Sequence, residues 1–449
     1  MRHLRVFFWS LTAALAGFLF GFDTVVISGA EKTLQQLWGG YTLWGDNDLF
    51  HGLVVMSSAL WGTVIGAIFG NLPTETLGRK KTLIWIGVFY TVSALGSALV
   101  SDPWSFAFFR FLGGLGVGAS TIAAPAYVSE IAPAAQRGRL VGLYQFNIVL
   151  GILIAFLSNF LLKNVGENAW RWMIGVEAFP AFIYTLMVFA VPESPRWLLL
   201  RKRDRAYAAS TLRLIDPSVD VSQEMARILD EHQASSAGKK ESIFSPAFRL
   251  PLMLAFFIAF FNQFSGINAF LYYAPRIFEM AGMEASSALL SSIGIGVANL
   301  VFTLIGVSLI DRFGRKQLMY IGSVGYVFSL SMVALAFVMG WKGFAVPGFL
   351  FLFIAAHAIG QGTVIWVFIA EIFPNHLRAD GQAFGSSVHW VLAAAIPAFI
   401  PKLFSSVGPA PVFAFFAFMM LLQGLFVWRI MPETQGRSLE ELGMTMSKR

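Results

Sequence analysis

The sequence predicts an all-α membrane protein: twelve transmembrane helices in two six-helix halves, with a cytoplasmic helical linker between them. Three observations carry this. The 449 residues are 57% hydrophobic and only 13% charged, against about 25% charged in an ordinary soluble domain. A water-soluble fold of this length cannot hide that much apolar surface. Apolar runs of about 20 residues, long enough to cross hydrocarbon as helices, recur twelve times. Three short charged motifs also return in the same order. Gly78-Arg79-Lys80 recurs as Gly314-Arg315-Lys316, an offset of 236. Glu130-Ile131, Pro133 and Arg137 recur as Glu371-Ile372, Pro374 and Arg378, an offset of 241. Pro192-Glu193-Ser194 recurs as Pro432-Glu433-Thr434, an offset of 240. A near-constant offset means two parallel halves, 1–191 and 250–431, joined by a linker over 192–249 and followed by a tail over 432–449. Carriers built from such repeats hold their substrate near the midplane and rock around it.

In chain order the expected spans fall near 6–28, 50–70, 82–100, 105–129, 140–162 and 172–191 in the first half. Those of the second half fall near 251–280, 287–310, 318–340, 345–370, 382–404 and 411–431. The first run is too long, and lacks a small-residue cleavage site, for a secretory signal peptide. Lys32, Lys163, Arg171, Arg276, Lys342 and Lys402 fall outside and Arg110 falls within a span, leaving 25 of the 32 Lys/Arg on one side. Basic residues gather in cytoplasmic loops, so both termini are expected in the cytoplasm of a cell whose cytoplasmic membrane holds the chain. The same bias accounts for the net charge of +7 without invoking nucleic acid. The linker, rich in Lys and Arg, reads as short amphipathic helices on the inner face, serving as a tether, a gating element or both. The chain has no cysteine, which excludes disulfides, thiol chemistry and Cys-based metal sites.

The most informative stretch is Phe260-Phe261-Asn262-Gln263-Phe264-Ser265-Gly266-Ile267-Asn268-Ala269-Phe270-Leu271-Tyr272-Tyr273-Ala274-Pro275. Amides inside an apolar run are costly unless something hydrogen-bonds them. Clustered with aromatic rings, they suit a polyhydroxylated ring: hydrogen bonds at its edge, apolar contact on its C–H faces. The competing role is glue between helices. Trp366 and Trp390 lie mid-span and are candidates for the wall of the same chamber.

Asp23, Arg110 and Glu177 are charges inside spans, where each needs a partner or a wet cavity. Asp23 and Arg110 are expected as neighbours. An adjacent Arg holds a carboxylate ionised while burial favours its protonated form, which suits a proton carrier; a static ion pair is the alternative. Gly113, Gly114, Gly116 and Gly118 follow no strand, so they fit close helix packing rather than a nucleotide loop. The six histidines have no metal-ligand spacing, and neither a cofactor nor a metal is expected. At the cytoplasmic face Glu130 pairs on paper with Arg137 and Glu371 with Arg378, with Arg79 and Arg315 nearby and Glu193 and Glu433 ending their halves. These ions are expected to close the inner side when the halves meet.

At these residues the chain resembles the sugar porter family of the major facilitator superfamily. The motifs are Gly-Phe-Asp-Thr-Val-Val-Ile-Ser-Gly (21–29), Gly-Arg-Lys (78–80), the Arg110 segment, Pro-Glu-Ser-Pro-Arg (192–196) and Gln-Phe-Ser-Gly-Ile-Asn (263–268). Asp-Arg-Phe-Gly-Arg-Lys (311–316), Trp366 with Ala370-Glu371, and Pro-Glu-Thr-Gln-Gly-Arg (432–437) complete the set. The resemblance implies the major facilitator fold and alternating access for a monosaccharide. It implies sugar contacts at Gln145, Gln263, Asn268, Asn299 and Trp366. Proton symporters of the family keep an acid at the position of Asp23. Asn262 stands where many relatives carry a second Gln, and His389 replaces a frequent Gln or Asn in the eleventh span beside Trp390. The first cytoplasmic motif, Glu75-Thr76-Leu77-Gly78-Arg79-Lys80, lacks the Asp-Arg pair that leads its second copy.

The expectation is therefore a proton-coupled sugar importer and not an enzyme, acting as a monomer in the lipid bilayer, with a hexose ahead of a pentose. A facilitative uniporter of the same fold is the alternative. A sugar sensor would carry long cytoplasmic extensions, a membrane enzyme a cluster of catalytic groups, and a drug antiporter a more apolar pocket.

Overall fold

The computed structural model describes residues 2–133, 136–236, 242–374 and 377–436, with side chains described from Leu4 onward except at 137–138 and 234–236. Among the described residues, eleven helices are long and apolar enough to span a membrane: Leu4–Gly29, Arg79–Leu99, Pro103–Ile131, Arg139–Leu162, Ala169–Phe189, Pro246–Met280, Ala285–Phe313, Arg315–Met339, Ala345–Ile372, Arg378–Val407 and Pro409–Arg429. The pair Asn47–Met56 and Ser58–Phe69, bent by 41° at Ser57, supplies the twelfth as a broken second span. The expected spans are all found, most of them a few residues longer than their apolar cores. The polar ends belong to the helices because backbone hydrogen bonding continues after hydropathy has fallen.

Packing divides the spans into two sets. In the first, the first span packs on the fifth, the second on the fourth, and the third on the fourth and sixth. In the second set the seventh packs on the eleventh, the eighth on the tenth, and the ninth on the tenth and twelfth. The sets meet where the second span touches the eleventh, the fifth touches the eighth and the first touches the seventh. This is the all-α, twelve-span, two-half arrangement the sequence predicts. The linker contributes helices Arg205–Ile215 and Val221–Ser236, held by a small apolar cluster of Trp197, Leu198, Leu199, Ala208 and Ile228.

Glycine sets the closest approaches. A methyl group on Gly114 would overlap the Ala59 carbonyl, and one on Gly118 would overlap the backbone at Ala67. The fourth span's glycine string thus lets the second span lie backbone to backbone against it, the small-residue packing that lipid-embedded helices favour.

The seventh span is broken twice. Gly266 sits at φ +82° between helices Arg249–Phe264 and Ile267–Met280, a left-handed conformation that costs glycine nothing. Tyr273 leaves helical geometry at φ −119°, ψ 16°, two residues before Pro275. Broken spans in transporters expose backbone groups and re-aim side chains toward a central site.

Gly114→Ala is expected to lower stability by about 1–3 kcal/mol through overpacking. Gly142→Ala, with no atom near its added methyl, should leave it unchanged. Thermal unfolding of the detergent-solubilised protein checks both.

Candidate functional site

Three charged side chains meet deep in the first set of spans. Arg110 is fully buried and Asp23 is 2% exposed. Arg110 Nη1 donates to Asp23 Oδ1 at 2.5 Å and its Nη2 donates to the Asp23 carbonyl at 3.1 Å. Glu177, 1% exposed, lies within electrostatic reach of both, and its Oε1 has no hydrogen-bond partner among the described residues. The first, fourth and sixth spans each bring one member, so only the packed bundle assembles the trio. Gly113 leaves room for it: a methyl there would press on Ser93 and approach Asp23. Tyr272, from the seventh span of the other half, is also buried and close enough to Arg110 and Asp23 to sense their charges. Tyr272 belongs to the stretch the sequence singles out but is not among its expected site residues. Its register in a broken helix decides where it points.

A second cluster forms in the other half. Asn268 Nδ2 donates to Gln263 Oε1 at 2.8 Å, and Gln263 Nε2 donates to Asn262 Oδ1 at 2.9 Å. The same Gln263 amide lies 3.2 Å from His389 Nδ1. His389 is flanked by Trp366, ring centroids 5.0 Å apart, and by Trp390 at 4.9 Å. Trp390 in turn meets Phe20 of the first half at 5.5 Å. The break at Gly266 brings Asn268 back onto Gln263, five residues earlier, which a straight helix would not do.

Asn262 also faces away from this cluster. Its Nδ2 lies 3.4 Å from Gln361 Oε1, Gln361 donates to Gln423 at 2.8 Å, and Gln423 donates to Ser323 at 2.9 Å. Gln361 and Gln423 are fully buried and are missing from the sequence-derived set, although amides inside the tenth and twelfth spans were a legible signal of the same kind. Asn299, 7% exposed, receives a 3.5 Å contact from Thr303, and Gln145 is half-buried on the fifth span. The fifth and eighth spans pack together. Neither Gln145 nor Asn299 hydrogen-bonds to the Gln263 cluster among the described residues.

The repeated charged motifs form two matching knots at one end of the bundle. In the first, Arg79 Nε and Nη2 reach the Glu130 carboxylate at 2.9 and 2.8 Å, and Ser194 donates to Glu130 at 2.5 Å. Glu193 accepts the backbone N–H groups of Arg79 and Lys80 at 3.0 and 3.1 Å. In the second, Arg315 reaches Glu371 at 3.0 and 2.7 Å, Thr434 donates to Glu371 at 2.6 Å, and Glu433 accepts the N–H groups of Arg315 and Lys316 at 3.0 and 2.9 Å. Each carboxylate caps a span whose first N–H groups have no partner within the helix. Gly78 at φ +96° and Gly314 at φ +84° precede these spans, and a methyl on either would run into the capping carboxylate.

Arg79 and Arg315, expected nearby, thus bind Glu130 and Glu371 across space; the sequence also paired these acids with Arg137 and Arg378. The Arg137 side chain lies outside the described residues, as does Arg437 of the last motif. Burial pushes the Glu193 carboxyl above the ordinary range even though Ser194, Lys80 and Arg79 donate to it. Glu75 is pulled the other way: against burial, Arg79 and then Arg201 hold it below that range.

A cavity of about 550 Å³ opens at this end, lined by Trp366, Glu371, Arg378 and Thr434 among others. The opposite end is tied shut across the two halves. Lys32 binds Glu279 and Lys402 binds Asp46, while Lys163 donates to Ser286 at 2.5 Å.

The sequence matches the model of the "Sugar (and other) transporter" family over residues 9–445. The chain belongs to this sugar transporter family. Family members are carriers, not enzymes. The chain is 35% identical over 440 residues to the arabinose-proton symporter of Bacillus subtilis, covering 96% of this chain and 93% of that one. It is 32% identical to the D-xylose-proton symporter of Escherichia coli (97% and 95% covered) and 34% identical to the glucose transporter GlcP of Staphylococcus epidermidis (98% and 97% covered). Among solved structures, the inward open conformation of the xylose transporter XylE from E. coli superposes with a TM-score of 0.86 at 30% identity, covering 98% of this chain and 99% of that one. XylE bound to 6-bromo-6-deoxy-D-glucose superposes at 0.79. In this sugar transporter the two-half architecture and the motif repeat are those of the major facilitator fold.

Replacing a helix-capping carboxylate removes about 1 kcal/mol. Glu193→Gln and Glu433→Gln are each expected to lower the unfolding midpoint by a few degrees while the purified protein keeps its helical circular dichroism.

Proposed function

We propose that the protein is a proton-coupled symporter that imports a monosaccharide, a pentose or a hexose, by alternating access. One observation carries the proposal: the seventh span contributes to both clusters. Gln263 and Asn268 lie in the amide group beside Trp366, while Tyr272 of the same span lies within electrostatic reach of Arg110 and Asp23. A change at either cluster is therefore felt at the other through a short, twice-broken helix.

The charge balance supports proton binding. Arg110 neutralises one carboxylate, and Asp23 and Glu177 provide two carboxyl groups in a dry site. An unbalanced buried charge is expensive, so the trio has a place for one exchangeable proton. Gln263, Asn268 and His389 offer donors and acceptors to sugar hydroxyls, with Gln145 and Asn299, on the fifth and eighth spans that pack together across the halves, as further candidates. Trp366 and Trp390 offer apolar faces. Asn262, spent on Gln361 and Gln263, helps hold the cluster. In the outward-facing state Asp23 takes a proton and loosens its hold on Arg110; sugar and proton then leave through the Trp366–Arg378 cavity. A ligand drives this only by binding the two states with different affinity.

In this scheme Arg79, Glu130, Arg137, Arg315, Glu371 and Arg378, with Glu193 and Glu433, form the inner gate. The basic end is cytoplasmic by the excess of Lys and Arg there, both termini lie on that side, and the chain works as a monomer in the cytoplasmic membrane. The relatives named as arabinose-proton and D-xylose-proton symporters agree with the coupling.

In transport-deficient cells, Asp23→Asn is expected to abolish sugar-driven alkalinisation and accumulation while leaving sugar counterflow. Accumulation by Asp23→Asn, or the absence of any pH change with the unaltered protein, overturns the coupling and leaves a uniporter. Gln263→Ala is expected to weaken sugar binding about tenfold, the effect of losing a buried hydrogen-bond partner, as read by the sugar concentration that gives half-maximal counterflow.

A further inference from the structure

The sealed end of the bundle holds a charge cluster that the coupling scheme does not use. Glu31 and His51, each 1% exposed, belong to the same half: Glu31 to the short helix Glu31–Leu37 after the first span, His51 to the start of the broken second span. His51 Nε2 lies 3.0 Å from Glu31 Oε1. Arg276, from the seventh span of the other half, donates to that same oxygen at 2.8 Å and to Gln35 Oε1 at 2.9 Å. His51 Nδ1 is buried with no partner among the described residues.

Those contacts fix which ring nitrogen faces Glu31. A carboxylate oxygen accepts, so the imidazole presents Nε2–H to Glu31, and in the neutral ring Nδ1 is bare. With Arg276 in place, Glu31 already has its countercharge. A protonated imidazole would add a second cation and leave its Nδ1–H unpaired in a dry site. When the halves part at this end, Arg276 departs with its own half while Glu31 and His51 remain together. Glu31 then loses its cation, water reaches Nδ1, and a proton there supplies the missing positive charge.

We propose that Glu31 and His51 form a second proton site, at which a proton taken from the outer solvent onto His51 replaces Arg276 as the countercharge of Glu31 when the outer end opens. This rests on the alternating-access reading above. Acid on the outer side then favours the outward-open state, in addition to any proton bound at Asp23.

The other charged groups around the pair are committed elsewhere. On the Glu31 helix, Lys32 binds Glu279 of the seventh span. Asp48, before His51, accepts from Gln35 at 2.7 Å. The eleventh span brings Lys402, bound to Asp46. The fourth brings Asp102, which caps its own helix, and Arg110, bound to Asp23. The seventh also brings Tyr273, whose hydroxyl donates to the Pro397 carbonyl at 3.0 Å.

The chain has no cysteine, so Gln36→Cys with Glu284→Cys, both exposed and in opposite halves, takes two spin labels for distance measurement in lipid nanodiscs. The measurement is made in an Asp23→Asn background to silence the first proton site. Lowering the pH from 8 to 5 is expected to shift the population toward the longer distance. His51→Gln and Glu31→Gln should each abolish that shift, and Arg276→Gln should give the longer distance at every pH. A shift that survives His51→Gln, or no shift in Asp23→Asn alone, overturns the second site. Labelled sugar uptake by the unaltered protein is the separate arm. Uptake without the pH-dependent distance overturns only the second site; the distance change without uptake overturns only the carrier reading.

Discussion

The dominant constraint is that a charge inside an apolar bundle must find an opposite charge or pay several kcal/mol in lost hydration. The Asp23–Arg110 pair meets it, and much of the first half is arranged around that contact. The first and fourth spans must lie close enough for a 2.5 Å hydrogen bond, and Gly113 keeps the space beside Asp23 free of a side chain. Glu177 makes the balance incomplete. Two carboxyl groups beside one guanidinium cannot all be charged cheaply, which turns a structural pair into a site with a chemical degree of freedom.

The same constraint explains the polar threads of the other half. Asn262, Gln361, Gln423 and Ser323 satisfy one another in a chain crossing the seventh, tenth, twelfth and ninth spans. Gln263, Asn268 and His389 form a looser group beside the two tryptophans. The first thread is closed and buried. The second borders Trp366 and Trp390, and under the proposed function its members would exchange protein partners for sugar hydroxyls. Hydrogen bonds traded one for another cost little, which suits a carrier that must release what it binds.

The two ends differ in what crosses between the halves. At the basic end, the Arg79–Glu130–Glu193 and Arg315–Glu371–Glu433 knots each lie within one half and cap a span beginning just after a glycine. At the other end Lys32, Arg276 and Lys402 reach across to Glu279, Glu31 and Asp46. This asymmetry is what a cavity open beside Trp366 and Arg378 and closed beside Glu31 requires, and it agrees with the inward open XylE structure that superposes at 0.86.

Span number, the two-half repeat and the stretch around Gln263 were all legible in the sequence, because hydropathy, motif spacing and a misplaced amide are local properties. Glu130 and Glu371 were legible as charged motif residues with Arg79 and Arg315 expected nearby; that these two arginines bind them directly was not. Arg137 and Arg378 are nearer along the chain, while Arg79 and Arg315 are brought to them by helix packing. Glu31 follows the first expected span and His51 lies at the edge of the second, and nothing local announced that Arg276, some 240 residues later in the chain, would share the Glu31 oxygen. The sequence by itself determined which residues must leave water and which of those are charged, since that follows from composition along each helix. Only the tertiary structure decided which charge meets which and which end is shut, because those depend on helix register, on the breaks at Ser57 and Gly266, and on how two rigid halves lean together.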